Sequence, residues 1–323
     1  MLPPLDAILS FEYGRERDVN RLLFRCCIST FLGTIVLFQA HSLFAWGDLG
    51  HRIVGIIAYS RLKPSVKNKV DALLAADKDE LTAPDFVSRT TWADKYRESD
   101  RQTTKIRYEA TRRWHFVDID ITTGDIDAAC EHHPKLPRGT LASAGPANNC
   151  TIDKIEQFIL ELRNPFMIKA EKILALKFLL HLIGDLHHPL HAADNKDRGG
   201  NDVPVLFDDA KPATSLHLYW DTQLVEKLGS DPRSVGARLN QNIGTGTAEA
   251  WSKGTSTAWA KESFRVAKSI AYNFTGLHEF VDNRGAKGVR LDAAYENSAL
   301  LAARRQLSKG GVRLAAVLNT AVR

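Results

Sequence analysis

Two stretches of the chain share one spacing. His181-Leu-Ile-Gly-Asp185 and His217-Leu-Tyr-Trp-Asp221 each set an imidazole and a carboxylate four residues apart, which stacks them on one face of a helix. The neighbours of the first pair, Leu179, Leu180, Leu182 and Ile183, are apolar. An ionisable pair among them is costly unless something compensates it, and a metal ion would. One pair alone reads as well as a buried His–Asp hydrogen bond; two in one chain favour ligation. His191 follows the first pair, Trp92-Ala-Asp94 adds a carboxylate in a predicted helix, and Trp114-His115-Phe116-Val117-Asp118 adds an imidazole in an extended segment. Zinc prefers histidine nitrogen and carboxylate oxygen, and this donor set can hold more than one ion. Two zincs roughly 3.5–4 Å apart clamp the attacking and leaving oxygens of an in-line displacement. Phosphoesters suit that chemistry, because a departing alkoxide needs charge stabilisation. Gly199-Gly200-Asn201 is a turn whose amides and carboxamide could meet a phosphate, although such turns are common. His187 and His188 lie on the turn before Pro189 and read as solvent-facing or supporting residues. The chain has no Gly-x-Ser-x-Gly, Walker loop or Gly-x-Gly-x-x-Gly.

A further donor depends on processing. Arg15, Arg17, Arg21 and Arg25 precede an apolar run from Cys26 to Ala45. A basic stretch, an apolar stretch and a small residue form a secretory signal, so residues 1–45 read as a leader cut after Ala45, although a span of about 20 residues could also anchor in a bilayer. Cleavage would leave Trp46 with a free amine. That amine and the Trp46 carbonyl oxygen could close a five-membered chelate on a metal, with His51 one turn away. The expected location is secreted or periplasmic.

The elements must then position these donors. The apolar share of 44% and charged share of 25% fit a soluble globular chain. Losing residues 1–45 removes four arginines and four acidic residues, so the formal charge stays +5. No concentrated basic patch is visible beyond Arg112-Arg113 and Arg304-Arg305. Cys130 and Cys150 flank a Pro/Gly/Ala-rich loop, and an even count in an oxidising compartment favours a disulfide. Without repeats or long polar linkers, residues 46–323 read as one domain. Helical periodicity predicts helices over 51–62, 65–75, 84–98, 151–163 (capped by Thr151), 168–186, 214–228, 261–273, 291–306 and 312–322. The 168–186 segment reads as the central buried helix. Strand signals are confined to 113–121 and 203–207. The expected fold is all-α, a single helical domain with metal sites between its helices and one short β-hairpin at most.

Taken together, Trp46-Gly-x-x-Gly-His51, Trp92-Ala-Asp94, Trp114-His115-Phe116, His181-x3-Asp185-x5-His191, Asp197-Arg-Gly-Gly-Asn201 and His217-x3-Asp221 resemble the three-zinc, single-strand-specific nucleases of the S1/P1 type, over nearly all of 46–323. The resemblance implies a first zinc on Asp94, His115, His181 and Asp185. It implies a second on His191, His217 and Asp221, and a third on Trp46, His51 and the bridging Asp185. Water between the close pair would attack phosphorus, and Arg97 would contact the transition-state phosphate. Asp94, Arg97 and Asp185 are thus the implied catalytic residues. Phe116 would stack on a base and Asp118 would accept from base N–H groups, with Asn201 nearby. Implied substrates are single-stranded DNA and RNA, with 3′-nucleotides as further candidates and 5′-nucleotides as products. The pocket's second apolar wall falls in 193–198, which is largely polar here, so base preference stays open. Zinc-dependent phospholipase C is similar in fold and amino-terminal Trp, but separates that Trp from its first His by more residues and ends its ligand set with Glu. A non-catalytic zinc-binding protein is the remaining alternative.

Overall fold

The computed structural model describes residues 46–207, 212–282 and 285–322. The expected leader, 1–45, lies outside them. No helix among the described residues is long and apolar enough to cross a membrane.

The chain is mostly helical, as expected. At its centre is Lys169–Leu186, buried on nearly every side from Ile173 onward. A helix apolar all round must be enclosed, and three neighbours enclose this one. Thr151–Arg163 packs along it, Trp92–Glu98 crosses it, and the carboxy-terminal helix Ala293–Ala321 covers a further face. Its buried lysine is matched: Lys177 Nζ sits 3.0 Å from Asp77 and 3.8 Å from the Trp92 ring centre. Arg89 binds the same carboxylate at 3.0 Å. Phe158 and Phe178 stack at 4.8 Å, fixing the register of Thr151–Arg163 on the central helix.

Several elements differ from the sequence reading for identifiable reasons. The 84–98 segment breaks into Phe86–Arg89 and Trp92–Glu98. Thr151 is the first residue of its helix rather than its cap; its hydroxyl donates to the Trp114 carbonyl at 2.8 Å. The two carboxy-terminal segments are one helix of 29 residues running through Gly310-Gly311. Glycine there normally weakens a helix, but a Cβ on Gly311 would sit 2.5 Å from Ile57. The glycines let this helix approach Gly47–Ser60 closely, and that packing outweighs propensity. Helices Ile106–Thr111, Pro232–Gln241 and Thr245–Trp251 were not foreseen.

Strand is confined to short pieces. Ile119–Asp120 pairs in parallel with Ala193–Asp194. A small sheet runs Thr214–Ser215, Pro204–Leu206, Lys287–Arg290, His278–Val281, and its last two strands form a hairpin. The first pairing matters for the site. It ties the chain after His115 to the chain after His191, with the Val117 N–H donating to the His191 carbonyl at 2.8 Å. The Cys130–Cys150 disulfide closes the loop that leads into Thr151–Arg163.

Candidate metal centre and its cleft

The central helix supplies His181 and Asp185 from its last turns, and three other elements bring donors to them. Asp185 Oδ1 lies 3.2 Å from His51 Nε2. Its Oδ2 lies 2.9 Å from His115 Nδ1 and 3.1 Å from His181 Nε2. Asp94, in the first turn of Trp92–Glu98, puts its two oxygens 3.5 Å from His115 Nδ1 and 3.5 Å from His181 Nε2. His115 ends a 3-10 turn, Arg112–His115, rather than lying in extended chain. One carboxylate thus faces His51 with one oxygen and the His115/His181 pair with the other.

A second group gathers beside the first. His191 Nε2 and His217 Nε2 are 3.2 Å apart. Asp221 Oδ2 is 3.5 Å from His217 Nε2. Asp221 lies in a π-helical turn, Tyr219–Gln223, so the expected regular helix is widened between His217 and its carboxylate; such turns gather at functional sites. Trp46 closes this end. It is fully buried, its indole donates to the Gly184 carbonyl at 3.1 Å, and its backbone N–H faces Asp221. The Trp46 carbonyl accepts from Gly50 N–H at 2.9 Å. Gly184 is required here: a Cβ would sit 2.8 Å from His51 Nδ1.

The donors fit metal ions. His181 Nδ1 pairs with the Thr90 carbonyl at 2.7 Å, His191 Nδ1 with the His115 carbonyl at 2.8 Å, and His217 Nδ1 with the Gly199 carbonyl at 2.7 Å. A carbonyl cannot donate, so each Nδ1 carries a proton, and the neutral rings of His191 and His217 turn a bare Nε2 inward. Two bare lone pairs at 3.2 Å repel unless a cation lies between them. His191 and His217 stay neutral, since burial lowers both. Both His51 nitrogens, Asp185 Oδ1 and both Asp221 oxygens are buried without a hydrogen bond. Buried polar atoms rarely go unpaired without a reason, and convergence on ions supplies one. The protonation balance agrees. Burial works against the His181 cation, but Asp185 and Asp94 outweigh it and lift its pKa to about 10. Burial, with Asp94 and Asp185 adding to it, pushes Asp221 up to about 8. Carboxylates this crowded need positive charge.

Beside the cluster opens a cleft of about 300 Å³ lined by Arg97, Arg101, Tyr108, Arg112, Arg113, Phe116, Asp118, Asp194, Arg198 and Asn201, among others. Arg97 borders both regions. It is 4% exposed and binds Asp94 Oδ1 at 3.1 Å and Glu98 at 2.9 Å. Phe116 is half-buried, with its ring centre 4.5 Å from that of His191. Asp118 has left-handed backbone at φ 54. Its carboxyl reaches solvent within the cleft yet lies deep among protein atoms. That depth, then the charge of Asp194, raises its pKa to about 7. Asn201 follows Gly199 and Gly200 (φ 62 and 82) and donates to the Arg198 carbonyl at 2.8 Å. The polar 193–198 stretch contributes Asp194 and Arg198 to the cleft, not an apolar wall.

The structure therefore brings together all nine residues that the sequence marked as ligands, and it lines one cleft with Arg97, Phe116, Asp118 and Asn201. Arg101 and Tyr108, which only the fold brings to this cleft, carry no such signal in the sequence, and of the two alternatives for His188, solvent-facing or supporting, the structure excludes the first. That residue is fully buried with its Nε2 3.0 Å from Asp221 Oδ1. The signal was present, since His188 precedes His191 by one helical turn, but Pro189 suggested an exposed turn. His133 pairs with Asp153 at 2.6 Å beside the disulfide; with both sulfurs bonded to each other, only two donors remain there.

Residues 46–323 match the family model described as S1/P1 Nuclease. The chain is 28% identical over 313 residues to Nuclease S1 of Aspergillus oryzae, covering 89% of this chain and 96% of that protein. It is 28% identical over 299 residues to Endonuclease 2 of Arabidopsis thaliana, covering 88% and 93%. It is 28% identical over 294 residues to Nuclease P1 of Penicillium citrinum, covering 85% and 97%.

Proposed function

The chain belongs to the S1/P1 nuclease family, a family of zinc-dependent hydrolases acting on phosphodiester bonds, and from that premise we propose that it is a secreted or periplasmic nuclease of single-stranded DNA and RNA. In this reading it releases 5′-nucleotides, also takes 3′-nucleotides, and matures by cleavage after Ala45 into one domain, 46–323. The observation that carries the proposal is the junction of a buried His/Asp cluster with an arginine-lined cleft holding a half-exposed aromatic ring.

Asp94, His115, His181 and Asp185 would hold one zinc, His191, His217 and Asp221 a second, and Trp46, His51 and Asp185 a third. Zinc in such a site supplies Lewis acidity toward phosphate and lowers the pKa of water. The residues of the chain do the rest. Arg97, oriented by Asp94 and Glu98, offers its guanidinium to a non-bridging phosphate oxygen. Burial works against its charge, but Asp94 and then Glu98 outweigh it and hold the cation. Phe116 offers a face to a base, a sequence-tolerant contact. Asp118 accepts from base N–H groups once ionised. Arg101, Arg112, Arg113 and Arg198 attract the phosphates on either side. A duplex hides its base faces by stacking, so the Phe116 contact selects for unpaired strands.

The test is a substrate panel. Protein beginning at Trp46, supplied with zinc, is incubated with single-stranded DNA, RNA, duplex DNA and phosphatidylcholine. The expected result is cleavage of both single strands, slower attack on duplex and none on lipid. Lipid hydrolysis without nucleic-acid cleavage would establish the phospholipase alternative, and inactivity toward all four would leave a zinc-binding protein.

A further inference from the structure

His188 is buried at 0% exposure beside the second group of donors. Its Nε2 lies 3.0 Å from Asp221 Oδ1. Its ring centre is 5.0 Å from that of His191 and 5.4 Å from that of His217. The ligating atoms of His188, His191 and Asp221 all fall within 4.8 Å of one another. Neither His188 nitrogen makes a hydrogen bond, and neither does Asp221 Oδ1, although the two side chains are within ion-pair reach. A histidine that merely oriented Asp221 would aim an N–H along that line. This pair instead has the approach of two donors directed at a common third point. The other side of the ring meets the edge of the Trp46 indole, with centroids 4.5 Å apart, which leaves no room for ordinary solvation.

We infer that His188 is a metal ligand, completing with His191, His217 and Asp221 a four-donor zinc site. Three protein donors leave a coordination position open, whereas four close a tetrahedral site. An ion at this site would accordingly be held by four protein donors, as many as the reading above gives the ion between Asp94, His115, His181 and Asp185. This assignment rests on the zinc reading proposed above and adds a residue to it.

The test counts metal directly. Wild type, His188→Gln and His188→Cys, each beginning at Trp46, are equilibrated with graded chelator, and retained zinc is measured by elemental analysis. His188→Gln is expected to release one zinc per chain at chelator concentrations about ten- to a hundredfold below wild type, the minimum set by what outer partners of ligands cost. His188→Cys, which restores a soft donor, is expected to recover most of the loss. With cobalt in place of zinc, the introduced thiolate is expected to give a sulfur-to-cobalt charge-transfer band. A chelator curve for His188→Gln that overlays wild type overturns the assignment. If that variant does not fold, a cobalt-loaded His188→Cys protein without the band overturns it instead. Wild type carrying no zinc would sink the zinc reading itself, an outcome distinct from either.

Discussion

The cluster and the cleft beside it are built from opposite materials. Every cluster donor is 2% exposed or less, and His181, His191 and His217 are each fixed by a backbone carbonyl from a different segment. The cleft is lined by long side chains that mostly reach water: Arg198 is 71% exposed and Arg112 52%. The first arrangement defines geometry in advance, as a centre that stabilises a transition state requires. The second supplies charge and one aromatic face with little geometric commitment, which suits a polymer whose sequence varies. On the proposed reading chemistry and substrate choice are carried by separable parts, and substitutions should separate them.

The largest effect is expected at Asp185, the one carboxylate shared by both halves of the first group. Asp185→Asn should lower zinc content and cut kcat by more than about a hundredfold, since even outer partners of ligands cost 10–100-fold. Normal zinc content in this variant would falsify the bridging assignment. Next comes one residue added before Trp46. It removes the free amine, so zinc should fall by one per chain and activity with it, by elemental analysis and a nuclease assay. Full zinc and full rate in the extended protein would sink the chelate.

On the cleft side the same assays should divide differently. Phe116→Ala should leave zinc unchanged and raise KM, consistent with roughly 1–3 kcal/mol per stacked base; a loss of metal there would show the two regions are not separable. The smallest effect is expected at Asp118. Its folded pKa of about 7 lies above the ordinary 3.8, so the fold favours the protonated form and the carboxylate appears only as pH rises through about 7. KM for oligonucleotides should therefore fall over that rise. In Asp118→Asn that trend should flatten, and an unaltered KM–pH profile would remove Asp118 from base recognition.

The same contrast decides what could be read in the sequence. His181/Asp185 and His217/Asp221 were legible because a helical face converts spacing into proximity, and the apolar run around His181 marked the central helix. Gly310-Gly311 misled, because the reason for the glycines is a partner helix distant in sequence. Thr214-Ser215 misled likewise: the residues form an edge strand against Pro204–Leu206, so the helix starts later and then widens at Tyr219–Gln223. Whether His188 faces solvent or supports the site was not legible, because Pro189 signals a turn but says nothing of its burial. In the cleft, Tyr108 and Arg101 carry no periodicity that links them to Phe116. Only the packing of Ile106–Thr111 against Trp92–Glu98 brings them to one wall.

Metal stoichiometry of protein beginning at Trp46 tests the account most directly. Purified in the presence of zinc and counted by elemental analysis, it should carry three zinc ions per chain and cleave single-stranded oligonucleotides in proportion to that content. A protein that folds, binds no zinc and still cleaves, or binds none and cleaves nothing when zinc is restored, would contradict it.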